Sequence, residues 1–144
     1  MTNIASLKSL LIPSKETEVE FPGLPGFKVS LAYLSRESLA KIRKNSTKVT
    51  FKNGRTSDSF NDELFLKLYV EATIKGWSGL TYEYLQELAL VDIGTADPKA
   101  ELPFSTENAL DLMKASTSFD EFISEIVNDL QNFTKSSSKT SETQ

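Results

Sequence analysis

Neither histidine nor cysteine occurs anywhere in the chain. Without cysteine there is no disulfide, no thiol nucleophile and no thiolate metal site. Without histidine the chain lacks the usual general base near neutral pH and the commonest metal ligand. The standard nucleophile–base pairs and zinc sites therefore cannot be assembled. Carboxylates remain, but Asp58, Asp62 and Glu63 sit beside a helix start, where negative charge complements the partial positive charge of the helix end. Asp92 and Asp97 share a loop with Gly94 and Pro98 but show no calcium-loop spacing, and no glycine-rich phosphate loop is present. The sequence is read as a non-enzyme with no cofactor and no metal. Long apolar runs are also missing: nothing approaches the roughly 20 residues a membrane helix needs. Met1 to Lys8 lacks the basic-then-apolar pattern of a secretory leader, so a cytoplasmic location is expected.

What is present suits one domain, since 144 residues are enough to bury about two thirds of the unfolded surface. Charge is split along the chain. Residues 1–59 hold 10 Lys and Arg against 5 Asp and Glu, a net of +5, and residues 60–144 hold 6 against 15, a net of −9. Six basic residues from Lys41 to Arg55 (Lys41, Arg43, Lys44, Lys48, Lys52, Arg55) are uninterrupted by an acid. A solvated loop, a nucleic-acid patch and a basic face that meets an acidic face of another molecule all fit that run. Only Phe51 is at hand to stack on a base, and the acidic remainder would repel phosphates, so no nucleic-acid partner is expected. Head-to-tail self-association through Lys41, Arg43 and Lys44 follows from the opposed charges, because a two-fold dimer would set like patches together.

Periodicity predicts a mainly α (α+β) fold: about five to six helices with a small N-terminal β-hairpin over about 17–34. Ile4, Leu7, Leu10 and Leu11 make a short helical stripe that Pro13 stops. Thr17, Val19 and Phe21 alternate with acids, Pro22 to Gly26 turn the chain, and Phe27, Val29, Leu31 and Tyr33 resume the alternation. Ser35 caps a helix to about Lys44. Residues 45–59 read either as a strand with an Asn53-Gly54 turn or as a long flexible loop, and the loop is preferred because only Val49 and Phe51 would anchor a strand. Phe60 to Lys75 reads as a central helix with a wide apolar stripe, ended by Gly76. Leu80 and Thr81 open the next helix, which ends near Val91. Ser105 caps a helix to about Ala115, with Phe104 packing back on Ala109 as a staple, and Ser118 and Glu121 form a capping box for a last helix through Phe133. Residues 1–134 are one domain, and 135–144, only Lys, Ser, Thr, Glu and Gln, should be a disordered polar tail.

Within this order lies Gly76-Trp77-Ser78-Gly79-Leu80, which holds the only tryptophan. It reads as a corner where a large aromatic locks two helices together. Trp77, Leu80 and Tyr84 there are either core residues, the better-supported choice, or a partner-binding surface.

Val29 to Glu37, the helix with Tyr69-Val70, the Gly76-Trp77 corner, Leu102 to Ala109 and Ser118-Phe119-Asp120-Glu121-Phe122 follow one another at characteristic spacings. The succession resembles the tail assembly chaperones of long-tailed, siphophage-type bacteriophages over roughly residues 19–133; residues 1–18 show no likeness. The resemblance implies a non-enzymatic helical chaperone that binds the tape measure protein, keeps it soluble and helps recruit the tail tube protein. It also implies action in the cytoplasm of the infected bacterial host and absence from the mature virion. Some such proteins gain a second domain by a ribosomal frameshift, for which the polar tail would be a suitable junction. The alternative is a helical structural or interaction module, such as another virion-assembly factor; a nucleic-acid accessory protein using residues 41–55 is the weaker third.

Overall fold

The computed structural model describes residues 6–12 and 15–134. The expected tail at 135–144, Ile4 of the first stripe and the stop at Pro13 lie outside the described residues.

Alternation at the N-terminus builds a hairpin. Strand β1 (Glu16–Glu20) pairs antiparallel with β2 (Lys28–Ala32), Glu18 facing Ser30 and Val19 facing Val29. Glu16, Glu18 and Glu20 stay in water, while Val29, Leu31 and Ala32 are buried. The connection is itself part of the core. Phe21, Leu24 and Phe27 are buried, the Phe21 N–H donates to the Phe27 carbonyl at 2.9 Å, and the Gly26 N–H donates to Glu20 Oε2 at 2.9 Å.

The chain then forms α1 (Leu7–Leu10) before this hairpin and α2 (Arg36–Asn45) after it. Ser35 caps α2, its hydroxyl accepting from the Ser38 N–H at 3.1 Å. A second hairpin follows, β3 (Thr47–Lys52) with β4 (Arg55–Phe60), paired from Thr47–Phe60 to Lys52–Arg55. This corrects the reading of 45–59 as a flexible loop. Asn53 and Gly54 both take positive φ, 56° and 75°, which is the two-residue turn that matches strand twist. Val49 and Phe51 anchor the ribbon to nothing: both are exposed. Local pairing and the turn hold it, where burial was taken as the requirement.

Helix α3 (Asp62–Thr73) starts at Asn61, whose side-chain oxygen accepts from the Leu64 N–H at 3.0 Å. Its end is a second correction. The helix stops at Thr73, and Ile74–Ser78 becomes strand β5, antiparallel to β2 with Trp77 beside Val29. The sheet order is β1-β2-β5, with a register shift between Ser30 and Leu31. Gly76 is thus a strand residue, not the left-handed end of a helix; the positive φ falls on Gly79, at 79°.

Helices α4 (Tyr82–Leu88), α5 (Thr106–Ala115), α6 (Thr117–Val127) and α7 (Gln131–Thr134) complete the chain. Thr81 and Ser105 are N-caps as read from the sequence, each accepting the N–H three residues on. Helix α4 ends at Leu88, short of Val91. For α6 the cap is Ser116, which accepts from the Phe119 N–H at 3.1 Å. Ser118 lies inside the first turn, so the Ser118–Glu121 box is not the start. The last apolar stripe is also split, since Asn128 ends α6 and α7 is a separate turn.

The mainly α expectation does not survive this architecture. Among the described residues five strands in two antiparallel sheets stand beside seven helices, an α+β fold. The three-stranded sheet forms the centre of the core. Phe119 of α6 stacks on Phe27 with centroids 6.5 Å apart, and Phe122 meets Phe21 at 4.7 Å. Phe27, Val29, Leu31, Val70, Leu80, Ala109, Phe119, Ile123 and Val127 have no exposed surface. The Leu34 N–H donates to the Val127 carbonyl at 3.0 Å, tying the end of α6 to the end of the first hairpin. Buried polar groups find partners, as they must: Ser46 Oγ donates to the Ile42 carbonyl and Thr73 Oγ1 to the Tyr69 carbonyl, each at 2.7 Å.

Candidate functional surfaces

Trp77 projects from β5 into a box of aromatic rings. Phe104, Phe119 and Phe27 stand edge-on to it, at centroid distances of 5.1, 6.2 and 6.4 Å. Its indole Nε1–H donates to the Leu102 carbonyl at 2.9 Å. That bond gives the polar end of a half-buried ring its partner and fastens the segment after α4 to the sheet. Leu80 is wholly buried. Tyr84 is half-buried, and its hydroxyl donates to the Pro25 carbonyl at 2.7 Å, pinning the first hairpin's turn to α4. The three residues singled out as a corner therefore lie close together and knit the sheet, the turn and α4. Leu80 reaches no partner without unfolding; Trp77 and Tyr84 keep an exposed flank.

A groove of about 710 Å3 opens elsewhere. Its floor carries Leu10, Leu11 and Ile12 with Tyr33, Leu130 and Phe133. Leu10, Leu11, Ile12 and Leu130 are all more than half exposed, so this surface is apolar and in water. Lys8, Lys15, Lys41 and Glu37 also line it. Sequence reasoning placed Leu10 and Leu11 on a helical stripe but gave them nothing to pack on. The turn between α6 and α7 turns Leu130 and Phe133 toward them, which a continuous last helix would not suggest.

Of the self-association candidates, Lys41, Arg43 and Lys44 are exposed on α2. Arg43 lines a small cleft with Leu39, Phe65, Tyr69, Asp120, Ser124 and Asn128. The Tyr69 hydroxyl donates to Ser124 Oγ at 3.5 Å there. Burial raises the Tyr69 phenol above its ordinary value, with the Asp120 carboxylate adding to the rise and the Ser124 bond opposing it.

Among the described residues no group of three or more acidic, His or Cys side chains is arranged to hold a metal ion, and no helix is long and apolar enough to cross a membrane. The described surface carries apolar and charged patches. A family model described as YdaY prophage protein matches residues 25–143, from the turn before β2 through every later element. The chain belongs to the YdaY prophage protein family and is phage-derived. No curated protein and no solved structure matches it.

Proposed function

We propose that this prophage protein is a non-enzymatic tail assembly chaperone that binds the tape measure protein and supports tail tube assembly. The observation that carries the reading is the apolar groove lined by exposed Leu10, Leu11, Ile12 and Leu130 over buried Phe133, with Lys8, Lys15 and Lys41 outnumbering Glu37 among its charged lining residues. A groove of that kind takes the apolar face of an amphipathic helix, and the excess of lysines favours a helix with acids flanking its stripe. A tape measure protein, long and rich in apolar helical segments, supplies such faces in number. The family's phage origin and the resemblance over residues 19–133 support the same reading. The protein acts without cofactor in the cytoplasm of the infected host and is left out of the finished virion.

Co-expression with the tape measure protein of the same prophage tests this. The tape measure protein should become soluble and co-purify, and Leu130→Glu should break both effects while leaving the circular dichroism unchanged. A tape measure protein that is equally insoluble with and without this chain, or that never co-purifies, overturns the proposal.

A further inference from the structure

We propose that the β3–β4 ribbon is an arm that lies along double-stranded DNA, its basic face on the phosphate backbone, without reading sequence. The ribbon's register sorts its side chains, because alternate residues of a strand point to opposite faces. Lys48, Thr50 and Lys52 share one face with Arg55, Ser57 and Ser59. Three bases and three hydroxyls make up that whole face, and neither an acid nor an apolar side chain interrupts it. Asp58, the ribbon's one acid, lies on the opposite face with Val49, Phe51 and Phe60. Lys and Arg neutralise phosphates, and Ser and Thr hydroxyls donate to phosphate oxygens. The major groove of a duplex, about 12 Å wide, admits a two-stranded ribbon.

Along the sequence these bases belong to a chain whose acidic remainder repels phosphates, but the fold separates the two charges in space. The ribbon is fastened at its base. There the Asn61 N–H donates to the Ser46 carbonyl and the Thr47 hydroxyl to the Arg43 carbonyl, each at 2.8 Å, and Phe60 meets Phe65 at 5.5 Å between centroids. From Lys48 to Ser59 every residue but Thr50 is exposed, so the ribbon stands clear of the core. Five steps of about 3.4 Å put the Lys52–Arg55 end about 17 Å from the Thr47–Phe60 end. Screening acts over about 10 Å at 0.1 M salt, which shields the bases at the tip from Asp62 and Glu63 at the start of α3. The tip thus meets a duplex free of most of the repulsion that a net charge of −4 implies. The arm needs no tape measure protein and stands or falls apart from the chaperone reading.

The test is fluorescence anisotropy of a short labelled duplex of mixed sequence, titrated with the full chain. Wild type should bind at low salt, and a duplex of unrelated sequence should bind alike. Neutralising three phosphates gives a slope of about −2.7 in log affinity against log salt, so binding should weaken roughly fortyfold between about 50 and 200 mM. The triple variant Lys48→Glu, Lys52→Glu, Arg55→Glu changes exposed positions alone, so it should keep the wild-type circular dichroism and lose at least about tenfold in affinity. Phe51→Ala, on the opposite face, should bind as wild type does. Absence of binding at low salt overturns the proposal, and so does binding that the triple variant retains. Tighter binding to a single strand, lost in Phe51→Ala, would assign base stacking on the apolar face and also overturns it. If the triple variant instead abolishes a self-association while no DNA is bound, the basic face belongs to a second copy and the proposal fails.

Discussion

Truncating Trp77 to Ala takes away three edge-on aromatic contacts, at 5.1, 6.2 and 6.4 Å, and the indole bond to the Leu102 carbonyl. Emptying a fully buried large aromatic site costs about 3–5 kcal/mol. Trp77 keeps a flank in water, so the lower end applies, about 3 kcal/mol. With an m-value near 2 kcal/mol per M, the urea midpoint should fall by roughly 1.5 M. Far-ultraviolet circular dichroism is the readout, because the substitution removes the only tryptophan fluorophore. Trp77→Phe separates the two contributions: a ring remains, the N–H donor goes, and the Leu102 carbonyl loses its partner. That variant should lose about 1 kcal/mol, the net worth of one hydrogen bond. If Trp77→Ala loses less than about 1 kcal/mol, an ordinary loss for any point substitution, the box of rings does not hold β5 and the argument fails.

Gly79→Ala should be severely destabilising, since a Cβ there would lie 2.0 Å from the Gly26 carbonyl oxygen at a φ of +79°. Gly76→Ala, with nothing within 4 Å, should change the thermal midpoint little. Ser116→Ala should cost about 1–2 kcal/mol in urea unfolding by loss of an N-cap, and Ser118→Ala much less; the reverse order would restore Ser118 as the cap. For Tyr69 the folded phenol pKa is raised above 10.0, so its contribution to stability is complete below that value and fades as pH climbs through the folded pKa. Ultraviolet phenolate titration should show a late step that Tyr69→Phe removes, and persistence of the step in that variant would refute the assignment.

Three caps were legible because their chemistry is local, whereas the α6 cap was read two residues late, at Ser118 instead of Ser116. Ser35, Thr81 and Ser105 bond backbone groups three residues away, and Asn53-Gly54 needs no tertiary partner to turn a chain. Strand β5 was not legible. Ile74 continues the four-residue series of Leu66 and Val70 so well that helix is the local reading, and only pairing with β2, more than forty residues earlier, makes 74–78 a strand. The β3–β4 ribbon was discounted for having too little to bury, a correct observation that does not exclude a ribbon left in water. The groove was missed because its two walls, Leu10 to Ile12 and Leu130 to Phe133, come from opposite ends of the described chain and meet only after the break at Asn128.

The bond from the Leu34 N–H to the Val127 carbonyl, with Phe119 and Phe122 laid over Phe27 and Phe21, has a consequence for synthesis. The first hairpin leaves the ribosome long before α6, the helix that covers it. Until residues 116–127 emerge, a nascent chain displays bare Phe21, Phe27, Val29 and Leu31, surface that invites aggregation or a host chaperone. A ribosome-arrested fragment ending before Phe119 should therefore be readily digested by protease, while one long enough to free Phe133 from the exit tunnel should resist.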